Sequence, residues 1–487
     1  MAIRPFPGLS TVFYALGWLL VILAAAMLVP LLVDLAFANP DWLGFLGSSG
    51  ITAFFGVALL LSHRHRDHGL SLRAAFLMTA SSWIVTAFFA ALPFRLGGYN
   101  LSLTDALFEA VSAMTTTGST VITGLDRAPP GFLLWRSLLQ WVGGIGIIVM
   151  ALVLLPFLRI GGMQLFRSES SDRSEKVLPT TAEFVRRLVA IYLALTLFLA
   201  VALRLAGMPA FDAINHAFTS IATGGFSTRD ASIAAFDNEA VELVLLLGML
   251  MGALPYARYV GLAAGRGEPF LADSQIRTFL VFLALASLAV ALWLVTSQGR
   301  SIGDALLAAT FNLVSIVTTT GYSSEDYTLW GAPAVALFLA VTVVGGCTGS
   351  TAGGIKIFRF EILWIATREY LVQLFLPSRI GSPRYAGKPV TGQVIIAVLS
   401  YVFLFIGSWG VLTVVLGVLG LDLVTAVSAA ATTLANVGPG LGPIIGPSGN
   451  FAALGDAVKW VLLSAMLLGR LEFFTLLVLF HPQFWRR

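Results

Sequence analysis

The sequence predicts an all-α polytopic membrane protein made of four copies of one helical unit, with an extra helix pair on the N-terminal side. Three observations predict it: the apolar fraction, the spacing of long apolar runs, and four shorter segments that share a pattern. Of 487 residues, 57% are apolar and 11% are charged, against about 25% charged in an ordinary soluble domain. That composition excludes the soluble globular class. A hydrocarbon core about 30 Å thick takes roughly 20 apolar residues per helix, and runs of that length recur throughout the chain. The net charge of +4 comes from bases in short loops, with no stripe suited to nucleic acid. Cys347 is the one cysteine, so no intramolecular disulfide can form.

Two spans open the chain, near 11–36 and 42–62, as a two-helix extension over 1–70. Arg4 and Ala36-Phe37-Ala38 give the first run the look of a signal peptide. From Thr11 to Val33 it exceeds the core of a signal, about 7–15 residues, and is read as an uncleaved helix. Apolar stretches follow at about 72–96, 132–158, 184–206, 239–263, 275–297, 331–366, 392–420 and 455–481. Between them lie segments near 103–115, 211–222, 303–318 and 422–435, too short to span and read as re-entrant half-helices.

Basic residues set the orientation. Arg64, Arg66, Arg73, Arg159, Arg167, Arg173, Lys176, Arg186, Arg187, Arg258, Arg266 and Arg277 fall on one side of this span map. Lys356, Arg359, Arg368, Arg379, Arg384, Lys388, Arg486 and Arg487 fall on the same side, predicted cytoplasmic with both termini. The opposite side has Arg95, Arg127, Arg229 and Arg300 and is rich in acids: Asp34, Asp41, Asp126, Asp230, Asp237, Glu325 and Asp326. The map holds ten full spans and four half-spans.

The four short segments are related. Asp105-Ala-Leu-Phe-Glu leads to Thr115-Thr116-Thr117-Gly118-Ser119, and Asp212-Ala-Ile-Asn-His leads to Thr223-Gly224-Gly225-Phe226-Ser227. Asp304-Ala-Leu-Leu leads to Thr318-Thr319-Thr320-Gly321-Tyr322, and Asp422-Leu-Val-Thr leads to Asn436-Val437-Gly438-Pro439. The aspartate-to-glycine distance is 13 in the first two and 17 and 16 in the others, about one turn longer. The final glycines are 107, 96 and 117 residues apart, which predicts a repeated unit of helix, half-helix, polar loop and helix. The expected divisions are repeat 1 at 71–160, a cytoplasmic linker at 161–182, repeat 2 at 183–265, repeat 3 at 272–370 and repeat 4 at 389–487.

Non-helical backbone at membrane depth needs protein around it or a watery lumen. Four loops meeting on one axis can replace a cation's hydration shell with carbonyls, as four Thr-Val-Gly-Tyr-Gly loops do in potassium channels. Thr319-Thr320-Gly321-Tyr322 is close to that pattern, and glycine supplies the dihedrals that aim carbonyls inward. The predicted fold is therefore four helix–half-helix–filter-loop–helix repeats around one central pore. The half-helix C-termini would favour a cation, and the four aspartates are expected to cap the opposite ends.

These residues resemble the Trk/Ktr/HKT superfamily, in its TrkH-like branch of bacterial potassium uptake proteins, over essentially the whole chain. The resemblance rests on Thr223-Gly224-Gly225-Phe226-Ser227-Thr228, the run Gly345 to Lys356, Asn436-Val437-Gly438-Pro439-Gly440-Leu441-Gly442, and Leu471-Glu472-Phe473-Phe474. It implies a potassium filter of Thr116, Thr117, Gly118, Thr223, Gly224, Gly225, Thr319, Thr320, Gly321, Asn436, Val437 and Gly438. Glycine at all four ring positions looks like the potassium form, since sodium-preferring relatives often have serine at the first. It also implies a bacterial inner membrane, potassium and rubidium as substrates, no organic cofactor and no other metal. Implied partners are a second copy as homodimer and a cytosolic regulatory subunit binding NAD or ATP. The chain carries no Gly-x-Gly-x-x-Gly after a strand and no P-loop, so nucleotide would bind that partner.

Repeat 3's exit helix is interrupted by Gly345-Gly346-Cys347-Thr348-Gly349-Ser350-Thr351-Ala352-Gly353-Gly354, with five glycines in ten residues. Such a run does not hold a helix. It reads either as a close helix crossing or, with the family, as an intramembrane gate below the filter. Arg470 lies at membrane depth, where a charge is costly. It reads as part of the gate or as a structural partner of Glu472 or loop carbonyls. Lys356 and Arg359 are read as anchors at the membrane edge, and Trp135, Trp141 and Trp485 as an interfacial belt. His63, His65 and His68, beside Asp67, are read as a solvated basic loop, and His216 as a packing residue. Asp230, Glu325 and Asp326 fit either a cation-attracting mouth or solvated loops. A symporter would need carboxylates as a proton relay, for which Glu109 and Glu472 are the candidates. Clustered groups for intramembrane catalysis are not present in the sequence.

Overall fold

The computed structural model describes residues 8–64, 71–150, 181–265, 270–377 and 383–486. His65, Asp67 and His68 lie outside the described residues, as do Arg66, Arg159, Arg167, Arg173, Lys176, Arg266, Arg379, Arg487 and all but the end of the predicted linker. The described chain is almost wholly helical. Its one sheet is a two-residue antiparallel pair, Arg384–Tyr385 with Lys388–Pro389.

Among the described residues, seven helices are long and apolar enough to cross a membrane, or nine if each of two bent pairs is one span. Helices Leu9–Ala36 and Trp42–His63 form the predicted N-terminal pair. Asp34 ties that pair to the rest by accepting the Gly131 amide at 2.7 Å. The outward faces are apolar: Phe54, Leu197 and Phe403 are 69%, 66% and 76% exposed. Water does not tolerate such a surface, and a bilayer requires it.

Three predicted spans are broken. The helix Glu239–Ala253 bends 91° into Tyr256–Ala263. Pro255 marks that break, because it holds Leu254 in extended backbone and has no amide to continue the helix. Asp456–Arg470 bends 112° into Phe474–Phe480, through Glu472 and Phe473 at φ 57° and 23°. No proline or glycine occupies 471–473 to announce it. The third break is the expected one, between Ala332–Thr342 and Ile357–Phe375.

The four half-helices are Leu103–Met114, Ala210–Ile221, Ile302–Val317 and Leu423–Ala435, of 12, 12, 16 and 13 residues. Their caps correct the sequence expectation. The N-cap residues are Ser102, Pro209, Ser301 and Asp422. Asp105 and Asp304 stand three residues inside, where the serine hydroxyl accepts their amides at 3.1 and 3.2 Å, as in a capping box. Asp212 stands at the same depth, paired with Arg229 at 2.9 Å. Only Asp422 caps, accepting the Thr425 amide at 3.1 Å. The fourth segment's apparent extra turn was therefore a change in the aspartate's place, and only the third half-helix is a turn longer.

Candidate functional site: a ring of four loops over a glycine-rich segment

Each half-helix ends in the same way. The amides of Thr117, Gly224, Thr320 and Val437 reach back five residues to the carbonyls of Ser112, Thr219, Ser315 and Thr432, at 2.8, 2.8, 2.9 and 2.9 Å. The amides of Thr116, Thr223, Thr319 and Asn436 reach back three residues to Ala113, Ser220, Ile316 and Thr433. This is the Schellman termination, which puts its C′ residue in left-handed conformation. That residue is usually glycine. Here Thr116, Thr223, Thr319 and Asn436 occupy it at φ 51°, 48°, 58° and 55°. A β-branched residue there is strained, and strain of this kind concentrates at functional sites. Two residues on, Gly118, Gly225, Gly321 and Gly438 are left-handed again at φ 84°, 75°, 83° and 114°.

The loops close on one another. A Cβ on Gly118 would run into the Gly224 carbonyl oxygen, on Gly225 into that of Thr320, and on Gly321 into that of Val437. On Gly438 it would lie 2.8 Å from the Thr117 carbonyl oxygen, which completes the circle. Each glycine thus abuts the carbonyl one residue before the glycine of the next loop. The fourth and first loops are also joined by Ser119 Oγ to the Gly438 carbonyl at 2.8 Å and Asn436 Nδ2 to Thr117 Oγ1 at 2.9 Å. Thr116 Oγ1 and Asn436 Oδ1 are buried with no hydrogen-bond partner among the described residues.

Charges behind the ring are paired. Glu109 and Arg136 meet at 2.7 Å, 0% and 1% exposed. Glu109 also accepts the Val121 amide, while Arg136 donates to the Ser227 carbonyl and lies 4.0 Å over the Phe226 ring. Nothing in the sequence marks Arg136 or Gln140, polar residues in a largely apolar helix, as part of this site. His216 does what was expected, bonding the Asp212 carbonyl and Ser227 Oγ at 2.8 and 3.0 Å.

The segment Gly345–Gly354 lies against the C-terminal ends of the half-helices. The Gly353 amide donates to Thr319 Oγ1 at 2.6 Å and the Gly354 amide to the Ala435 carbonyl at 2.8 Å. Thr351 Oγ1 bonds the Ile221 and Gly252 carbonyls and receives the Thr223 hydroxyl at 3.1 Å. Its neck is closed by a parallel bridge between Val344 and Ile355. Arg470, 3% exposed, donates to the Thr351 carbonyl at 3.0 Å.

Several side chains stand elsewhere than the sequence suggested. Arg359 and Lys356 are buried: Arg359 pairs with Glu472 at 2.5 Å and lies 3.5 Å from the Tyr401 ring centre, and Lys356 bonds the Ala352 carbonyl. Arg470 therefore does not pair with Glu472. Trp135 is fully buried against the Ala90 carbonyl at 3.1 Å, and Trp141 bonds Thr196; only Trp485 is exposed. Asp230 accepts the Gly124 and Leu125 amides, Glu325 holds Arg300 at 2.7 Å, and Asp326 accepts the Thr328 amide, so each of the three has a protein partner. Among the described residues no group of three or more His, Cys, Asp or Glu is placed to hold a metal ion.

Residues 45–487 match the family model described as TrkH, cation transport protein. The chain is 45% identical to the Trk system potassium uptake protein TrkI of Halomonas elongata, over 97% of this chain and 96% of that one. It is 35% identical to TrkH of Escherichia coli K12, over 96% and 98% of the two chains. The crystal structure of the potassium transporter TrkH from Vibrio parahaemolyticus matches with a TM-score of 0.90 at 37% identity, covering 98% of this chain and 99% of that one. A polytopic helical chain with four mutually packed polar loops, matched over nearly its whole length at these identities, belongs to the TrkH family of cation transport proteins.

Proposed function

We propose that the chain conducts potassium across a bacterial inner membrane in channel fashion, through a filter of Thr116-Thr117-Gly118, Thr223-Gly224-Gly225, Thr319-Thr320-Gly321 and Asn436-Val437-Gly438. The observation that carries this is the closed circle of glycine-to-carbonyl approaches, the arrangement expected of four loops disposed around one axis. Neutral carbonyls bind a monovalent cation without holding it too tightly to leave. The half-helix C-termini add partial negative charge on the same axis. The relatives named above are potassium uptake proteins, which fits that cargo. In this reading both termini are cytoplasmic, the repeats fall at 71–160, 183–265, 272–370 and 389–487, and Gly345–Gly354 with Arg470 is the gate. A homodimer and a nucleotide-binding cytosolic subunit complete the assembly.

The alternative is a symporter coupled to protons or sodium. The two glutamates available for a relay are each held by an arginine, Glu109 by Arg136 and Glu472 by Arg359, which favours the pore. The test is rubidium against sodium uptake by the purified protein in vesicles, beside a Gly225→Ser variant. The native chain is expected to take up rubidium selectively. Gly225→Ser should lose roughly tenfold in discrimination, corresponding to about 1.4 kcal/mol. Unchanged discrimination in the variant refutes the ring as filter.

A further inference from the structure

The residues preceding the ring glycines are Thr117, Gly224, Thr320 and Val437. Gly224 alone lacks a side chain, yet the space beside it is filled. Gln140 occupies it from the exit helix of the first repeat, Pro130–Val149. A Cβ on Gly224 would lie 2.5 Å from Gln140 Cδ and 2.6 Å from its Oε1. The carboxamide is fully buried and held at both ends. Nε2 donates to the Gly224 carbonyl at 2.6 Å, and Oε1 accepts the Phe226 amide at 3.0 Å. Those two bonds fix which end is nitrogen, because a carbonyl needs a donor and an amide needs an acceptor. Among the described residues no side chain donates to the equivalent carbonyls of Thr117, Thr320 or Val437.

We infer that Gln140 is a specificity-determining positioning residue: it replaces, from the neighbouring repeat, the side chain missing at Gly224 and pins one of the four ring carbonyls. Gly224-Gly225 is the conformationally freest peptide in the ring, since neither residue has a Cβ to limit rotation. A donor on the Gly224 oxygen opposes that rotation and leaves its second lone pair available. Selectivity depends on how the four carbonyls are held around the ion, so releasing one of them relaxes the discrimination. This inference rests on the conduction reading and deepens it.

The experiment measures potassium and sodium permeability of the full chain in vesicles, native against Gln140→Leu. Gln140→Leu is expected to lower the potassium-to-sodium ratio about fivefold, or about 1 kcal/mol at 1.4 kcal/mol per decade, with total cation flux retained. A second arm reads the steric complementarity. Gly224→Thr alone should lose flux by collision with Gln140, and Gly224→Thr with Gln140→Ala should regain both flux and selectivity. An unchanged ratio in Gln140→Leu overturns the inference, as does an equal loss of both cations, which marks a merely structural role. Should Gln140→Leu fail to fold, the second arm decides, and a double variant no better than Gly224→Thr overturns the inference. A native chain that passes neither cation refutes the conduction reading itself.

Discussion

Arg136 and Glu109 sit out of reach of solvent behind the ring, where removing one partner leaves the other charge uncompensated. Arg136→Ala is expected to cost about 3–5 kcal/mol of stability, read as a lowered unfolding midpoint in detergent. Arg136→Met with Glu109→Gln removes both charges and should recover most of that loss. Thr116 gives the opposite expectation. It is held left-handed at φ 51°, and its hydroxyl has no hydrogen-bond partner among the described residues. Thr116→Gly should therefore leave stability unchanged or raise it by up to about 1 kcal/mol, while rubidium uptake falls. A variant that is both less stable and fully active would show that the hydroxyl serves packing. These threonines were legible in the sequence as hydroxyl-bearing loop residues, but their backbone was not. The sequence assigns the turn to the glycine two residues later, and nothing in it says that threonine accepts a conformation glycine would adopt more cheaply.

At the scale of elements, the same limit explains which breaks could be foreseen. The interruption at Gly345–Gly354 is written in glycine, and the one at Leu254 in the proline that follows. The break at 471–473 comes from tertiary demand. There the turn brings Glu472 to Arg359, while Gly469 packs against the Leu434 carbonyl, leaving no room for a Cβ. The caps are hidden for a related reason, since an aspartate at N3 and one at N-cap look alike in sequence until the helix start is known. The Gly345–Gly354 segment, the gate of the proposed reading, permits a sharper forecast. A Cβ on Gly353 would strike the Ala435 carbonyl, and one on Gly345 the Gly353 carbonyl. Gly353→Ala should thus push the segment off the half-helix ends and raise open probability in single-channel recordings. Its ion selectivity should stay at the native value, because the ring residues are untouched. A parallel loss of selectivity would make the segment part of the filter scaffold.

Across the whole molecule, the question left by the fold is what drives the ion. Composition and the four matched segments made the architecture legible, because burying backbone in lipid leaves few solutions. Energetics were less legible, since Glu109 and Glu472 read equally well as proton carriers until their partners are known. Each is now seen against an arginine, with Glu109 also accepting from Thr120 and the Val121 amide. A proton arriving at either carboxylate would have to displace an ion pair in a medium where the unpaired guanidinium is costly. In the conduction reading proposed above the membrane potential drives the ion, at about 2.3 kcal/mol per charge per 100 mV. Rubidium flux into vesicles with the proton gradient collapsed and voltage clamped should persist at the rate seen with the gradient, and should reverse when the voltage reverses. Glu109→Gln with Arg136→Met should keep that voltage dependence if it folds. Flux that stops with the gradient would restore the glutamates as carriers and make the chain a symporter.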